Sequence, residues 1–320
     1  MLQRFVAWML AIGMILGMGA AAGQEFPTKP IRIIAASAGS SGDFAARLIA
    51  QGITASLGQQ VIVENRGGSV TVSGELVAKA PPDGHTLLFM PSSLWLLPFM
   101  QDNVPYDPVR DFAPITLSGS TPAILVVHPS LRVNSVKELI ALAKSRSGEL
   151  NYGSASTGSA THIASELLKS MAGVKIVRIP YKGTAQALND LLGGQVQLMF
   201  STLAPALPHV KSGRLKGLAV TSAEPSALAP GVPTVAASGL PSFEATSTQG
   251  MFAPGRTPAA IVQRLNQETV RYLNRPDVKE KFLSVGTDVY ASSPEQFAAT
   301  IKSEMTRLGK AIKDAGIRAE

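Results

Sequence analysis

The chain contains no cysteine, which excludes disulfides, thiolate metal sites and a cysteine nucleophile. It also lacks a G-x-x-x-x-G-K-[ST] phosphate loop, a strictly spaced dinucleotide glycine pattern and an H-E-x-x-H pair, so nucleotide-binding and zinc-hydrolase readings lose their support. No G-x-S-x-G nucleophile elbow occurs. The histidines His85, His128, His162 and His209 are scattered without ligand spacing, and no two carboxylates are spaced for acid–base work. Charged residues are sparse at 16% and aromatics at 6%, but 45% hydrophobic content is ample for packed cores. The formal net charge is +7, yet the Lys and Arg residues are dispersed over the solvent faces of expected helices with no interleaved aromatics. That distribution excludes a nucleic-acid partner and suits mild steering of small anions.

The 320 residues exceed what one hydrophobic core usually organises, so two domains are expected. The start reads as an export signal: Arg4, an uncharged apolar run from Phe5 to Met18, then GAAAGQ with small residues for cleavage near Ala22 or Gly23. The rival is an uncleaved anchor, since the run is nearly long enough to span a bilayer. No later segment has such a run. A periplasmic protein is expected, divided as 1–23 signal, 24–122 first part of domain one, 123–229 domain two, and 230–320 crossover plus C-terminal helices completing domain one.

What the chain does have is one repeated unit of strand, small-residue loop and helix. The reference stretch is 151–162, NYGSASTGSATH, followed by Ile163, Leu167 and Met171 on one helical face. A loop of that kind leaves backbone N–H groups unpaired at the positive end of a helix, beside hydroxyls and with no bulky side chain in the way. It is a seat for a carboxylate or phosphate. The same order appears at 31–57, where IRIIAAS and AGSSGD precede a helix from Phe44 to Leu57, with Asp43 as the expected N-cap and Gly58 as the stop. Further strands are expected at Gln60–Asn65, Thr86–Pro91, Ala123–His128, Lys175–Tyr181 and Val196–Phe200. Strands separated by helices imply an α/β architecture with parallel sheets, in which ligands sit at the carboxyl ends of the strands. The small polar residues at those ends are the candidate ligand-binding set. They are Ser37, Gly39, Ser40 and Ser41; Ser92; Ser154, Ser156, Thr157, Gly158 and Ser159; Gly183 and Thr184; and Ser201 and Thr202.

Several residues admit two readings. Trp95, within the apolar stretch 92–100, is either core or pocket wall. His162 is either a first-turn residue tied to its loop or a base for Ser154, Ser156 or Ser159 in an exported serine hydrolase. Lys182 could meet an anion or point to water, and Asp43 and Asp190 could be structural or functional. From Pro225 to Gly255 prolines and glycines are dense and helical periodicity lapses, which suits a crossing between domains. Capping patterns at 257–258 and 293–296 open the last helices, which are expected to pack on domain one.

Taken in order, FPTKPIRII, VIVENR, KAPPDGHTLL, YDPVRDFAPIT, NYGSASTGSATHIASELL, IPYKGTAQALNDLLGGQVQLMF, LPHVKSGRLKGLAVTS and APGRTPAAIVQRLN resemble the Bug-type (TctC-like) periplasmic solute-binding proteins of tripartite tricarboxylate transporters. The resemblance runs over nearly the whole chain. It implies a two-domain periplasmic-binding-protein fold that closes like a flytrap, with the cleft between the domains and two chain crossings. It also implies a small carboxylate ligand, membrane transporter subunits as partners, no cofactor and no catalysis. Carried onto this sequence, the two carboxylate-gripping loops fall on Ser37–Asp43 and Ser154–Ser159, with Ser201, Thr202 and the loop 182–184 as side walls. Two segments depart from the family pattern: AASAGSSGD stands where a P-F-x-x-G-G loop is usual, and RGGSVTVSG where a glycine-rich continuation is usual. Both belong to domain one, so the distal end of the ligand is expected to be read differently here. A ligand-sensing adaptor for a membrane receptor would use the same fold. A monomer is the plain expectation, because no apolar seam is in evidence.

Overall fold

The computed structural model describes residues 26–35, 38, 40–66, 70–155, 157–181 and 183–318. The chain opens with β1 (Ile31–Ala35), α1 (Ser41–Leu57), β2 (Val61–Asn65), α2 (Val70–Ala78), β3 (Thr86–Pro91), a short α3 (Ser93–Leu96) and β4 (Phe112–Thr121). A second unit follows: β5 (Ala123–Val127), α4 (Val136–Ser145), β6 (Asn151–Ser154), α5 (Ala160–Ala172), β7 (Val177–Pro180), α6 (Thr184–Leu192), β8 (Leu198–Thr202), α7 (Leu203–Lys211) and β9 (Lys216–Val220). The chain returns with β10 (Ser247–Pro254), α8 (Ala259–Leu273), α9 (Pro276–Ser284) and β11 (Asp288–Val289), and finishes in α10 (Pro294–Asp314).

These elements form two sheets, ordered β11-β4-β10-β3-β1-β2 and β7-β6-β8-β5-β9. The crossover units are parallel as expected, but neither sheet is wholly so. β10 runs antiparallel between β3 and β4, and β5 runs antiparallel between β8 and β9. The cause is the double crossing. A chain arriving from the other unit starts at the end where the crossover strands finish, so Ala123 pairs with Thr202 and Gln249 with Pro91. Pro122 alone separates β4 from β5, which makes the outward crossing abrupt. The return is longer. Val235 N–H bonds Val220 O at 2.9 Å, Ala245 N–H bonds Thr221 O at 3.0 Å, and Phe243 stacks on Phe200. The second unit therefore holds the chain to about residue 245, beyond the expected boundary at 229, because this irregular segment extends the sheet edge and buries an aromatic.

Local chemistry explains the helix starts. Ser40, not Asp43, caps α1: its Oγ accepts from the Asp43 N–H at 3.1 Å. Asp43 instead occupies the first turn, where its charge suits the helix dipole, and it binds Arg47 at 2.9 Å and Asn65 Nδ2 at 2.8 Å. The expected stop at Gly58 holds, with φ of +68°. α10 opens with a full capping box between Ser293 and Gln296.

The largest apolar cluster is shared by both units and contains Trp95, Phe252 and Phe297 from the first and Ile163, Leu167 and Phe200 from the second. α10 packs against β4 and also against α5, so the tail joins both units instead of resting on domain one alone. Trp95 is core: it is fully buried, edges onto Phe297, and donates from Nε1 to Glu304 Oε2 at 2.8 Å. Among the described residues no helix is long and apolar enough to cross a membrane; the expected signal at 1–23 lies outside them.

Candidate ligand-binding site

A cavity of about 220 Å³ lies between the two units. The first unit contributes Pro91, Ser92, Ser93, Leu96 and Met100; the second contributes Gly158, Ser159, Ala160 and Ile163; the returning chain adds Ala245, Thr246 and Ser247; and α10 adds Leu308. The carboxyl end of β3, the start of β10 and the first turn of α5 thus meet at one place. A larger groove of about 840 Å³ on the outer face of α10, against Phe99, Val109 and Phe112, has a largely apolar floor, carries Lys302, Lys310 and Lys313 along α10, and lies on the first unit and not between the two.

The wall from the second unit is built as a helix start should be. Ser159 caps α5, its Oγ accepting from the His162 N–H at 3.3 Å and lying 3.3 Å from Thr161 Oγ1. Among the described residues the N–H groups of Ala160 and Thr161 have no acceptor, as the geometry of a first turn requires. Gly158 has φ of +76°, and a Cβ there would lie 2.9 Å from Met100 Sδ. Glycine at this position permits both the turn and the close approach of the two units.

His162 is the loop's anchor. The Gly158 N–H donates to its Nδ1 at 3.1 Å, so the ring is neutral with its proton on Nε2. Burial, reinforced by the Arg178 charge, pulls its pKa down to about 4. With Nδ1 already engaged, the serine-hydrolase geometry is absent at that atom and the structural reading prevails. Ser154 is fully buried; its Oγ accepts from Arg178 Nε at 2.7 Å and donates to Ala155 O at 3.3 Å, which makes it a brace of the loop. Arg178 further donates to Thr157 Oγ1 and Ala155 O, each at 3.2 Å.

The cavity brings together Ser92, Gly158 and Ser159 from the sequence-derived set, with Thr157 and Ser154 directly behind. Ser40 and Ser41 start α1 and do not line it; Ser37, Gly39 and Ser156 lie outside the described residues, as does Lys182. Gly183 and Thr202 precede α6 and α7 without any side-chain cap, leaving those helix starts open. Thr184 is the first residue of α6, and Ser201 is buried with its hydroxyl on Thr202 O at 3.1 Å. Asp190 accepts from the Tyr181 hydroxyl at 2.8 Å, a structural role. Met100, Thr246, Ser247, Leu308 and Arg178 were not singled out from sequence. Each stands in a stretch that reads as core strand, crossing or helix face, and only folding converges them. Among the described residues no group of His, Asp and Glu is placed to hold a metal.

A model of the family described as "Tripartite tricarboxylate transporter family receptor" matches residues 45–317. The chain is 37% identical over 299 residues to the "UPF0065 protein in tcbD-tcbE intergenic region" of Pseudomonas sp. (strain P51), covering 92% of this chain and 89% of that one. It is similar to the solved structure of R. palustris Rpa4515 with adipate, at 33% identity and a TM-score of 0.71 over 92% of this chain and 99% of that one. It is likewise similar to MatC from Rhodopseudomonas palustris with bound malate, at 29% identity and a TM-score of 0.68 over 90% and 100% of the two chains.

Proposed function

The chain belongs to the tripartite tricarboxylate transporter family of receptors, and from that premise we propose that it captures a small organic acid between its two units and delivers it to the membrane subunits of such a transporter. The family consists of periplasmic binding proteins, not enzymes. The observation that carries the reading is the cavity between the units, which the capped start of α5 lines with Ser159 and Ala160. Relatives with adipate and with malate point to carboxylates as the ligand class.

In this reading the loop Ser154–Ser159 grips one carboxylate. The distal end of the ligand meets Ser92 and Ser93, and the loop Ser37–Asp43 contributes the second grip. Gly183, Thr184, Ser201 and Thr202 form side walls reached on closure or through bridging water. A micromolar dissociation constant corresponds to about −8 kcal/mol, attainable from two charge-assisted grips and a largely apolar wall. Residues 1–23 act as a cleaved export signal, and the mature protein works as a monomer without a cofactor.

A thermal-shift screen of the mature protein against mono-, di- and tricarboxylates, aromatic acids and amino acids tests this. At about a hundredfold excess over its dissociation constant the true ligand adds about 3 kcal/mol, a rise of several degrees. Absence of a rise with every acid overturns the carboxylate assignment.

A further inference from the structure

The cavity's wall on the side of the first unit is made of three pieces: α3 with the serine before it, the start of β10, and α10. One side chain joins all three. Glu304, on α10 one turn before the lining residue Leu308, accepts from Trp95 Nε1 on α3 at 2.8 Å and from Thr248 Oγ1 on β10 at 2.9 Å. The chain neighbours of its two donors, Leu96 and Ser247, themselves line the cavity.

Glu304 and Glu268 are each 2% exposed, but they are compensated differently. Glu268 takes two arginines, Arg264 at 3.2 Å and Arg271 at 3.0 Å. Among the described residues Glu304 makes no ion pair. The charges that reach it are those of Glu244, on the returning chain, and Arg307, on α10 itself, and these two are paired with each other at 2.8 Å. β4, β10 and α3 carry no titratable side chain. Of the helices packed on α10, α5 brings Glu166 paired with Lys169 and a neutral His162, and α8 brings Glu268 with its arginines. Burial therefore leaves Glu304 with a pKa of about 7, so both of its forms are present near neutrality.

A carboxylate entering the cavity brings a second negative charge towards this one, through packed side chains that screen poorly. A proton from solvent on Oε1 removes the conflict and keeps the geometry: Oε2 still accepts from Trp95, and the new O–H donates to Thr248 Oγ1. We propose that Glu304 is a positioning residue for the ligand, holding the three pieces of this wall at a fixed spacing, and that capture of a carboxylate is accompanied by proton uptake at this side chain. The inference rests on the carboxylate-receptor reading above.

A protein beginning at residue 24 retains Trp95 as its sole tryptophan, so indole emission reports the charge on Glu304. Emission should change with a midpoint near pH 7 in the wild type and stay flat in E304Q, which mimics the protonated acid. With each acid of the thermal-shift panel as probe, calorimetry should give binding about threefold to tenfold tighter at pH 6 than at pH 8. E304Q should bind at pH 8 as tightly as the wild type does at pH 6; the probe's own ionisation affects both proteins equally. E304L leaves both donors without an acceptor and should lose about tenfold in affinity while circular dichroism shows it folded. Should E304L not fold, E304Q alone decides. The same pH dependence in E304Q as in the wild type, or wild-type affinity in E304L, overturns the proposal and leaves the carboxylate reading intact. Failure of that reading shows separately, as silence of the whole panel at both pH values, and the emission titration then decides: a transition lost in E304Q upholds Glu304 as the titrating tie of this wall, and a flat wild-type trace overturns it.

Discussion

Glu304 is a carboxyl group buried between Trp95 and Thr248, from which it accepts hydrogen bonds at 2.8 and 2.9 Å. Loss of water outweighs those bonds and pushes its pKa up to about 7 from the usual 4.5. Below pH 4.5 the group is protonated whether the chain is folded or not, and its contribution to stability is fully present. As pH rises the unfolded chain ionises first, so that contribution shrinks until pH passes 7, by about 3 kcal/mol in all. Urea unfolding of E304Q should therefore show a flatter profile between pH 4.5 and 7 than the wild type, and greater stability at pH 8, because a neutral amide oxygen can accept the same bonds. His162 works in the other direction. With its pKa lowered from 6.5 to about 4, it stabilises the fold above pH 6.5 and loses that effect as pH falls through 4. Acidification through pH 4 should also loosen the ligand loop, since a proton on Nδ1 displaces the Gly158 N–H; the Gly158 amide in proton NMR reports it directly.

At the scale of elements, caps and turns make the strongest local commitments. Ser293 accepts from the Gln296 N–H while the Gln296 side chain accepts from the Ser293 N–H, and neither residue lines the cavity. S293A should cost about 1 kcal/mol in urea unfolding and leave ligand affinity unchanged. Such signals, together with alternating strands and helices, made α1, α5, α6 and α10 legible in the sequence, and with them the loop at 154–159. β4, β9 and β10 were not legible. β10 is buried at seven of its eight positions, so it shows no alternation, and it sits in a stretch dense in proline and glycine. β4 carries Pro114 and Gly119 inside its run. The cavity was half legible for the same reason. Ser92, Gly158 and Ser159 stand at strand ends, where hydroxyls and glycine signal a site, while Met100, Thr246 and Leu308 read as ordinary packing or linker residues until the crossing brings them together. Arg178 hides in the strand KIVRIPY, where a single charge on an edge strand is unremarkable.

For the molecule as a whole, the joint between the units is as telling as either unit. Leu308 is buried in the cluster common to both and also lines the cavity. L308A should destabilise the protein by about 2–5 kcal/mol and weaken binding of whichever acid the screen identifies, and chemical denaturation with calorimetry on the same sample checks both effects. The position of β10 carries a further consequence, for the order in which the protein is made. The central strand of the first sheet is supplied only after residue 247, once the entire second unit has been synthesised. The second sheet comes from one uninterrupted stretch and can assemble as soon as that stretch is available. The half that begins first is completed last, and its early strands stay without their partner while the chain is still threading outward, an arrangement suited to a polypeptide that must cross a membrane before it folds.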